Sequence, residues 1–377
     1  MDPIALAAAL VRCPSVTPDD AGAQDVLATA LDALGFKVER LELGEAPDGP
    51  VSNLFATIGS GGRHFAFAGH TDVVPAGPGW SVDPFAATLD SERLVGRGIA
   101  DMKGAIAAMV AAASRHVARG SPGTLSFIIT GDEEGPATFG TNPLLDWMVA
   151  NGHRPDVCLV GEPTSLDRLG DCVKIGRRGS VNIWIEVLGT QGHVAYPHRA
   201  DNPITRLLAI LTELKGRLLD EGSDWFSPSN LEITDIDVGN PATNVIPAVA
   251  KARFNIRFND HHSGDSLSAW VHEVVARHAA DARVTIKVSG EAFLTEPGRF
   301  STIIANAIHN ETGLTPEFST SGGTSDARFI RRLCPVVEFG LPGQSMHKRD
   351  EQVAVADITA LAAIYDDILR QYLADGG

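Results

Sequence analysis

Three short apolar runs, each ending abruptly in polar residues, most constrain the fold: "HFAFAGHTDVV" (64–74), "TLSFIITGDEEG" (124–135) and "VCLVGEP" (157–163). Runs of this length, bounded by glycine and charged residues, fit buried strands better than helices. Helical patterns lie between them, above all the alanine-rich "MKGAIAAMVAAASRHVA" (102–118). Strands alternating with helices predict a mixed α/β domain. In such open sheets the binding and catalytic groups collect at the carboxyl ends of strands, which is where these polar residues stand.

The same texture holds before the first run, where residues 21–35 read as a helix ended by Gly35 and "FKVERLEL" as a strand. It changes near residue 178. "GSVNIWIEVLG", "NLEITDIDVG", "AKARFNIRF" and "RVTIKVSG" alternate like strands with one wet face, and "PITRLLAILTELKGRLL" and "SLSAWVHEVVARHAA" are helical. Their order, β-α-β-β-α-β, predicts a compact two-layer unit inserted into the first domain. Helical patterns then resume around the strand "CPVVEFG". The expected organisation is one domain from 1–177 and 293–377, with 178–292 as the insertion. A length of 377 residues suits two cores better than one.

Composition narrows the classes of function. With 44% hydrophobic and 21% charged residues the chain has both a core and a soluble surface. A net charge of −16 argues against nucleic acid or an anionic membrane as main partner, though not against a small anionic substrate. Cys13, Cys158, Cys172 and Cys334 are scattered without metal-site or disulfide spacing, which fits a reducing cytoplasm. The N-terminus lacks a basic leader, carries Asp2 and Arg12, and reads as an amphipathic helix ended by Pro14. No run approaches the roughly 18 apolar residues of a membrane span. "GSGGR" lacks the G-x-G-x-x-G spacing of a dinucleotide loop.

The polar positions that carry chemistry are His70, Asp72, Asp101, Glu133, Glu134, Glu162 and His347. Any one of them alone would read as a turn or capping group. Together they make a nitrogen and oxygen donor set suited to zinc, manganese or cobalt. The i,i+2 spacing in "GHTD" lets Asp72 hold the His70 ring in one tautomer. In "GDEEG" neighbouring side chains on an extended chain diverge, so the two glutamates are expected to do different work. His116, His153, His261, His262 and His272 lack partners in the pattern and read as surface residues.

The motifs "GHTDVVPAG", "GRGIADMKGA", "GDEEG", "VGEPTS", "GRRGS", "QGHVAYPH", "SGGTSDARF" and "MHKRDE", in this order, resemble the two-metal aminoacylase and carboxypeptidase family across nearly the whole chain. The resemblance implies a mixed-sheet, zinc-peptidase-like catalytic domain, with the insertion as a dimerisation or lid domain. It implies two zinc ions per subunit about 4 Å apart, with cobalt or manganese as alternatives at one site. Asp101 would bridge them, His70 and Glu162 would complete one site, and Glu134 and His347 the other. Three ligating carboxylates against two dications leave one positive charge, which favours deprotonated water. The peptide after Asp101 is expected to be cis.

In the same resemblance Glu133 is the base that moves the proton from water to the leaving amine, with Asp72 beside His70. His193 is a donor to the oxyanion, and His193 and Asn244 reach the site from the partner of a homodimer. Arg177 would capture a substrate carboxylate, and Gly323 and Thr324 of "SGGTSD" another, while Arg178 is left to the surface. The implied reaction is hydrolysis of N-succinyl-LL-2,6-diaminopimelate to succinate and the free diamino acid, in the cytoplasm. N-acetylornithine, or another acyl-amino acid, is the rival substrate. A non-catalytic binding protein is the rival class, and its cheapest sign, loss of the base or a ligand, is absent.

Overall fold

Apolar side chains on both faces bury the short runs at the centre of one mixed sheet. A computed structural model of the chain describes residues 1–90 and 92–374. The chain forms two compact units, Met1–Ile175 with Thr295–Ser319 and Ser325–Gly377, and Gly176–Leu294 with Thr320–Thr324.

In the larger unit eight strands lie in the order Lys37–Leu43, Val51–Ile58, Thr124–Thr130, His64–His70, Val157–Val160, Val336–Glu338, Cys172–Lys174, Glu317–Ser319. The four from Thr124–Thr130 to Val336–Glu338 are mutually parallel, and Lys37–Leu43 and Val51–Ile58 add an antiparallel edge. Parallel neighbours bring their carboxyl ends to one rim, so the tertiary fold gathers residues far apart in sequence there. Helix Gly104–Ala118 packs against Pro3–Val11 and Val355–Ala374.

That helix begins two residues later than the pattern suggested. Ile99–Lys103 forms an irregular turn in which Asp101 (φ −125°, ψ 92°) and Met102 are not helical, and the Asp101–Met102 peptide is cis. His116 is a correction: it is buried, 3% exposed. The last turn of that helix does have an outer side, but Arg115 and Ala118 occupy it and His116 falls on the covered one. His262 also has a partner, Asp220 Oδ2 at 3.1 Å, and the His153 ring lies 4.5 Å from that of Phe55.

The smaller unit is an antiparallel sheet in the order Asn230–Asp237, Val249–Phe258, Gly179–Leu188, Arg283–Gly290. Helices Pro203–Gly216 and Gly264–His278 cover one face. Val181, Ile183, Ile185, Phe254 and Ile256 meet Leu207, Ile210, Val271 and Val274 in its core. The alternate residue Trp184 is 39% exposed, as the period of two requires. Asn202 and Ser263 cap the two helices. The outgoing and returning chains pair as Arg177↔Phe293 and Gly176↔Leu294. "SGGTSD" is divided between the units. Thr320 Oγ1 donates to Trp225 O and Arg177 Nη1 to Gly323 O, tying Thr320–Thr324 to the smaller unit, while Ser325 and Asp326 belong to the larger.

Candidate metal centre

The five candidate ligands and the candidate base Glu133 lie at or beyond the ends of elements. His70 closes strand His64–His70, Glu133 and Glu134 follow Thr124–Thr130, Glu162 follows Val157–Val160, and His347 lies beyond Val336–Glu338. Asp101 comes from the irregular turn before the alanine-rich helix. The rim therefore collects all six from one unit.

Asp101 is the shared member. Its Oδ1 lies 3.1 Å from His70 Nε2 and its Oδ2 3.3 Å from His347 Nε2. Glu162 Oε1 is 3.8 Å from His70 Nε2, and Glu134 Oε1 is 2.9 Å from His347 Nε2. Three overlapping donor groups result among the described residues, His70–Asp101–Glu162, Asp101–Glu134–His347 and His70–Glu133–Glu134, each with its atoms within 4.8 Å of one another; the first two share Asp101. Imidazole nitrogens and carboxylate oxygens at such spacings suit zinc-type divalent ions.

The charges point the same way. Burial alone would lower the His70 pKa, but its bond to Asp101 and the charges of Asp72, Asp101 and Glu133 drive it well above the usual histidine range. Bonds to Asp101 and Glu134 push His347 up to about 10. Burial works against ionisation of Asp101, yet the bonds from His347 and His70 hold it well below the usual carboxylate range. Without metal, this cluster attracts protons between its carboxylates. Divalent cations would suit the same place, and these residues would have to give up those protons to hold them.

His70 Nδ1 is 3.0 Å from the backbone carbonyl of Asp72 and 3.6 Å from its carboxylate. The carbonyl, rather than the carboxylate expected from the spacing, is the nearer partner. The Asp72 carboxylate instead accepts N–H bonds from Glu133 (3.2 Å) and Glu134 (2.9 Å), and Thr17 Oγ1 donates to it at 2.5 Å. It thus shapes the turn that carries both glutamates.

The divergence argument for Glu133 and Glu134 does not survive, because the strand ends at Thr130 and residues 131–135 bend. Both carboxylates come within 4.8 Å of His70. What separates them is environment. Glu134 bonds His347, whereas burial, then the charge of nearby Glu162, raises the Glu133 pKa well above the carboxylate range, with Asp326 and Glu134 adding to it.

Within the smaller unit the structure brings His193 and Asn244 together: Val194 N–H donates to Asn244 O at 3.1 Å, and His193 pairs with Val245. His193 is exposed, and its Nδ1 accepts the Ala195 N–H at 3.1 Å, so the neutral ring carries its proton on Nε2. Arg177 is buried beside Gly323, with Gly323 exposed and Thr324 half-buried. Arg178 bonds Asn230 Oδ1 (2.9 Å) and Pro228 O (3.2 Å). Sequence reasoning missed Thr17, whose distant loop gave no signal. It also missed Asp326, which bonds Thr141 Oγ1 at 2.6 Å and lies inside a quoted motif.

Fold and donor set define a metallohydrolase, and the chain belongs to peptidase family M20/M25/M40, whose profile matches residues 66–371. It is 63% identical over 377 residues to the succinyl-diaminopimelate desuccinylase of Rhizorhabdus wittichii, covering 100% of both chains. Identity to the succinyl-diaminopimelate desuccinylase of Novosphingobium aromaticivorans is 60% over 367 residues, 97% of each. An M20 family metallo-carboxypeptidase from Sulfolobus solfataricus shares the fold, with a TM-score of 0.81 at 15% identity over 99% of this chain and 100% of that one.

Proposed function

We propose that this chain hydrolyses the succinyl amide of N-succinyl-LL-2,6-diaminopimelate, giving succinate and LL-2,6-diaminopimelate in the biosynthesis of lysine and diaminopimelate. The observation that carries the reading is the Asp101 carboxylate, one oxygen toward His70 and the other toward His347. With it stands the high identity to full-length relatives named for this activity.

Two zinc ions suit the donors, one at His70, Asp101 and Glu162, the other at Asp101, Glu134 and His347, with cobalt or manganese as substitutes at one. When bound, such ions supply Lewis-acid polarisation of the amide carbonyl and acidify water. Glu133, held beside His70 and Glu134, takes the proton as water attacks and gives it to the departing amine nitrogen. Asp72 keeps Glu133 placed through its backbone N–H. The amide C–N bond breaks, the carbonyl carbon gains the water oxygen, and no oxidant is needed.

His193 would donate its Nε2–H to the oxyanion. We place His193 and Asn244 in the site of a second copy, so that the active form is a homodimer joined through 178–292. Exposed Val194 and Tyr196 beside His193 suit a covered surface. Arg177 and the Gly323–Thr324 stretch are assigned to substrate carboxylates, for which a guanidinium and backbone N–H groups are apt. We place the reaction in the cytoplasm, which suits four cysteines that form no bridge.

The test is amine release by zinc-loaded protein from succinyl-diaminopimelate and N-acetylornithine side by side. Faster turnover of the succinyl compound is expected. Faster turnover of the acetyl compound would overturn the substrate, and no turnover of any acyl-amino acid would overturn the enzyme.

A further inference from the structure

The turn that presents Asp101 is gripped by a residue that no step above employs. Glu351 is fully buried, 0% exposed, and follows His347 by four positions. Its Oε1 accepts N–H bonds from Ala100 at 2.9 Å and Asp101 at 3.2 Å. Its Oε2 accepts from the Gly98 N–H at 3.1 Å and from Arg97 Nη1 at 2.7 Å. Arg97, 2% exposed, is fixed in turn by the Trp80 ring 5.1 Å from its Cζ, and by Ala76 O at 3.3 Å.

These bonds have a local cause. The chain from Gly98 to Met102 leaves helical geometry at Asp101, so regular helix bonds do not serve its N–H groups, and a buried N–H needs an acceptor. One carboxylate serves three of them. An ion pair needed only for stability would be complete with Arg97 alone, and buried pairs are weak stabilisers in any case.

The same residue belongs to the loop that carries His347. Strand Arg93–Val95 pairs with Gln352–Ala354, and the ladder continues as Gly96 N–H donates to Glu351 O at 2.8 Å. Ser345 Oγ donates to Gln352 O at 2.7 Å and closes the loop at its base. Asp350 Oδ1 accepts from Ser81 N–H (2.8 Å) and Oγ (2.9 Å). Within this loop His347 (φ 61°) and Asp350 (φ 53°) adopt the left-handed backbone that non-glycine residues seldom take. Such conformations persist where the surroundings over-determine them, most often beside functional groups.

We infer that Glu351 is a positioning residue for the metal centre: its carboxylate locks the Gly98–Asp101 backbone to the His347 loop, fixing the shared ligand and a terminal ligand in one grip. The inference rests on the metal reading above. Because Asp101 belongs to both proposed metal sites, loss of the grip weakens the two together.

The test uses the full-length chain, stripped of metal and titrated with zinc against a chromophoric chelator, with the melting temperature of each metal-free protein measured alongside. E351Q keeps the volume but turns an NH2 toward the donors, so zinc affinity should fall about 10- to 100-fold, the range for residues that orient metal ligands. R97Q breaks the same ion pair while leaving the three N–H bonds, and should lose clearly less zinc affinity even where it melts as low. Equal losses in both variants, or E351Q binding zinc as the parent does, would overturn the inference. If E351Q does not fold, E351D, which keeps the charge but is one methylene shorter, takes its place under the same two outcomes. A parent chain that binds no zinc overturns the metal reading itself, and this inference with it.

Discussion

At the scale of single residues, the proposed function turns on how one carboxylate differs from its neighbour. Glu133 and Glu134 are adjacent, yet Glu134 is tied to His347 while burial, then the charge of Glu162, raises the pKa of Glu133 against the opposing pull of His70. A carboxyl that readily holds a proton is suited to pass one on. Glu133→Gln should therefore retain zinc and folding but lose at least about 100-fold in kcat, the lower range for a positioned acid–base group. A variant with parental kcat would remove Glu133 from the proton path. These residue types were legible in the sequence. Their separate environments were not, because Asp326 and Glu162 reach Glu133 only through the fold.

At the scale of elements, the parallel strand ends are held in register by close backbone approaches. Gly340 follows strand Val336–Glu338, and a Cβ there would lie 2.5 Å from the carbonyl oxygens of both Gly161 and Glu162. Backbone cannot swing aside as a side chain can. Gly340→Ala should cost about 1–3 kcal/mol, as overpacking does, and should reduce zinc occupancy by displacing Glu162. The check is urea denaturation of the metal-free protein together with metal content after dialysis, and an unchanged midpoint would refute the argument. The strands themselves were readable from apolar runs, and the inserted unit from its alternation. The irregular turn at Asp101 was not, since the alanine-rich pattern ran unbroken through Met102, and the bend after Thr130 defeated an argument based on extended geometry. The burial of His116 escaped because the alanine-rich run shows no clear polar face, so the sequence did not reveal that Arg115 and Ala118 take the exposed side of the last turn and His116 the covered one.

At the scale of the whole molecule, the proposed dimer makes a sharp prediction. If His193 comes from a second copy, a mixture of the inactive variants His193→Ala and Glu133→Gln should recover about a quarter of parental activity, because half of random dimers are mixed and each has one complete site. Activity that stays at the level of the separate variants after unfolding and refolding together would exclude the composite site. By itself the sequence determined the fold class and marked out the candidate donor residues. Burial, strand alternation and ligand chemistry are local properties, written in residue type and spacing. Only the tertiary structure decided which oxygen of Asp101 faces which histidine, that Asp72 shapes the glutamate turn through N–H bonds, and that Glu351 grips the segment before the helix. Each of those facts depends on groups many residues apart meeting at hydrogen-bond distance, and no local pattern encodes that meeting.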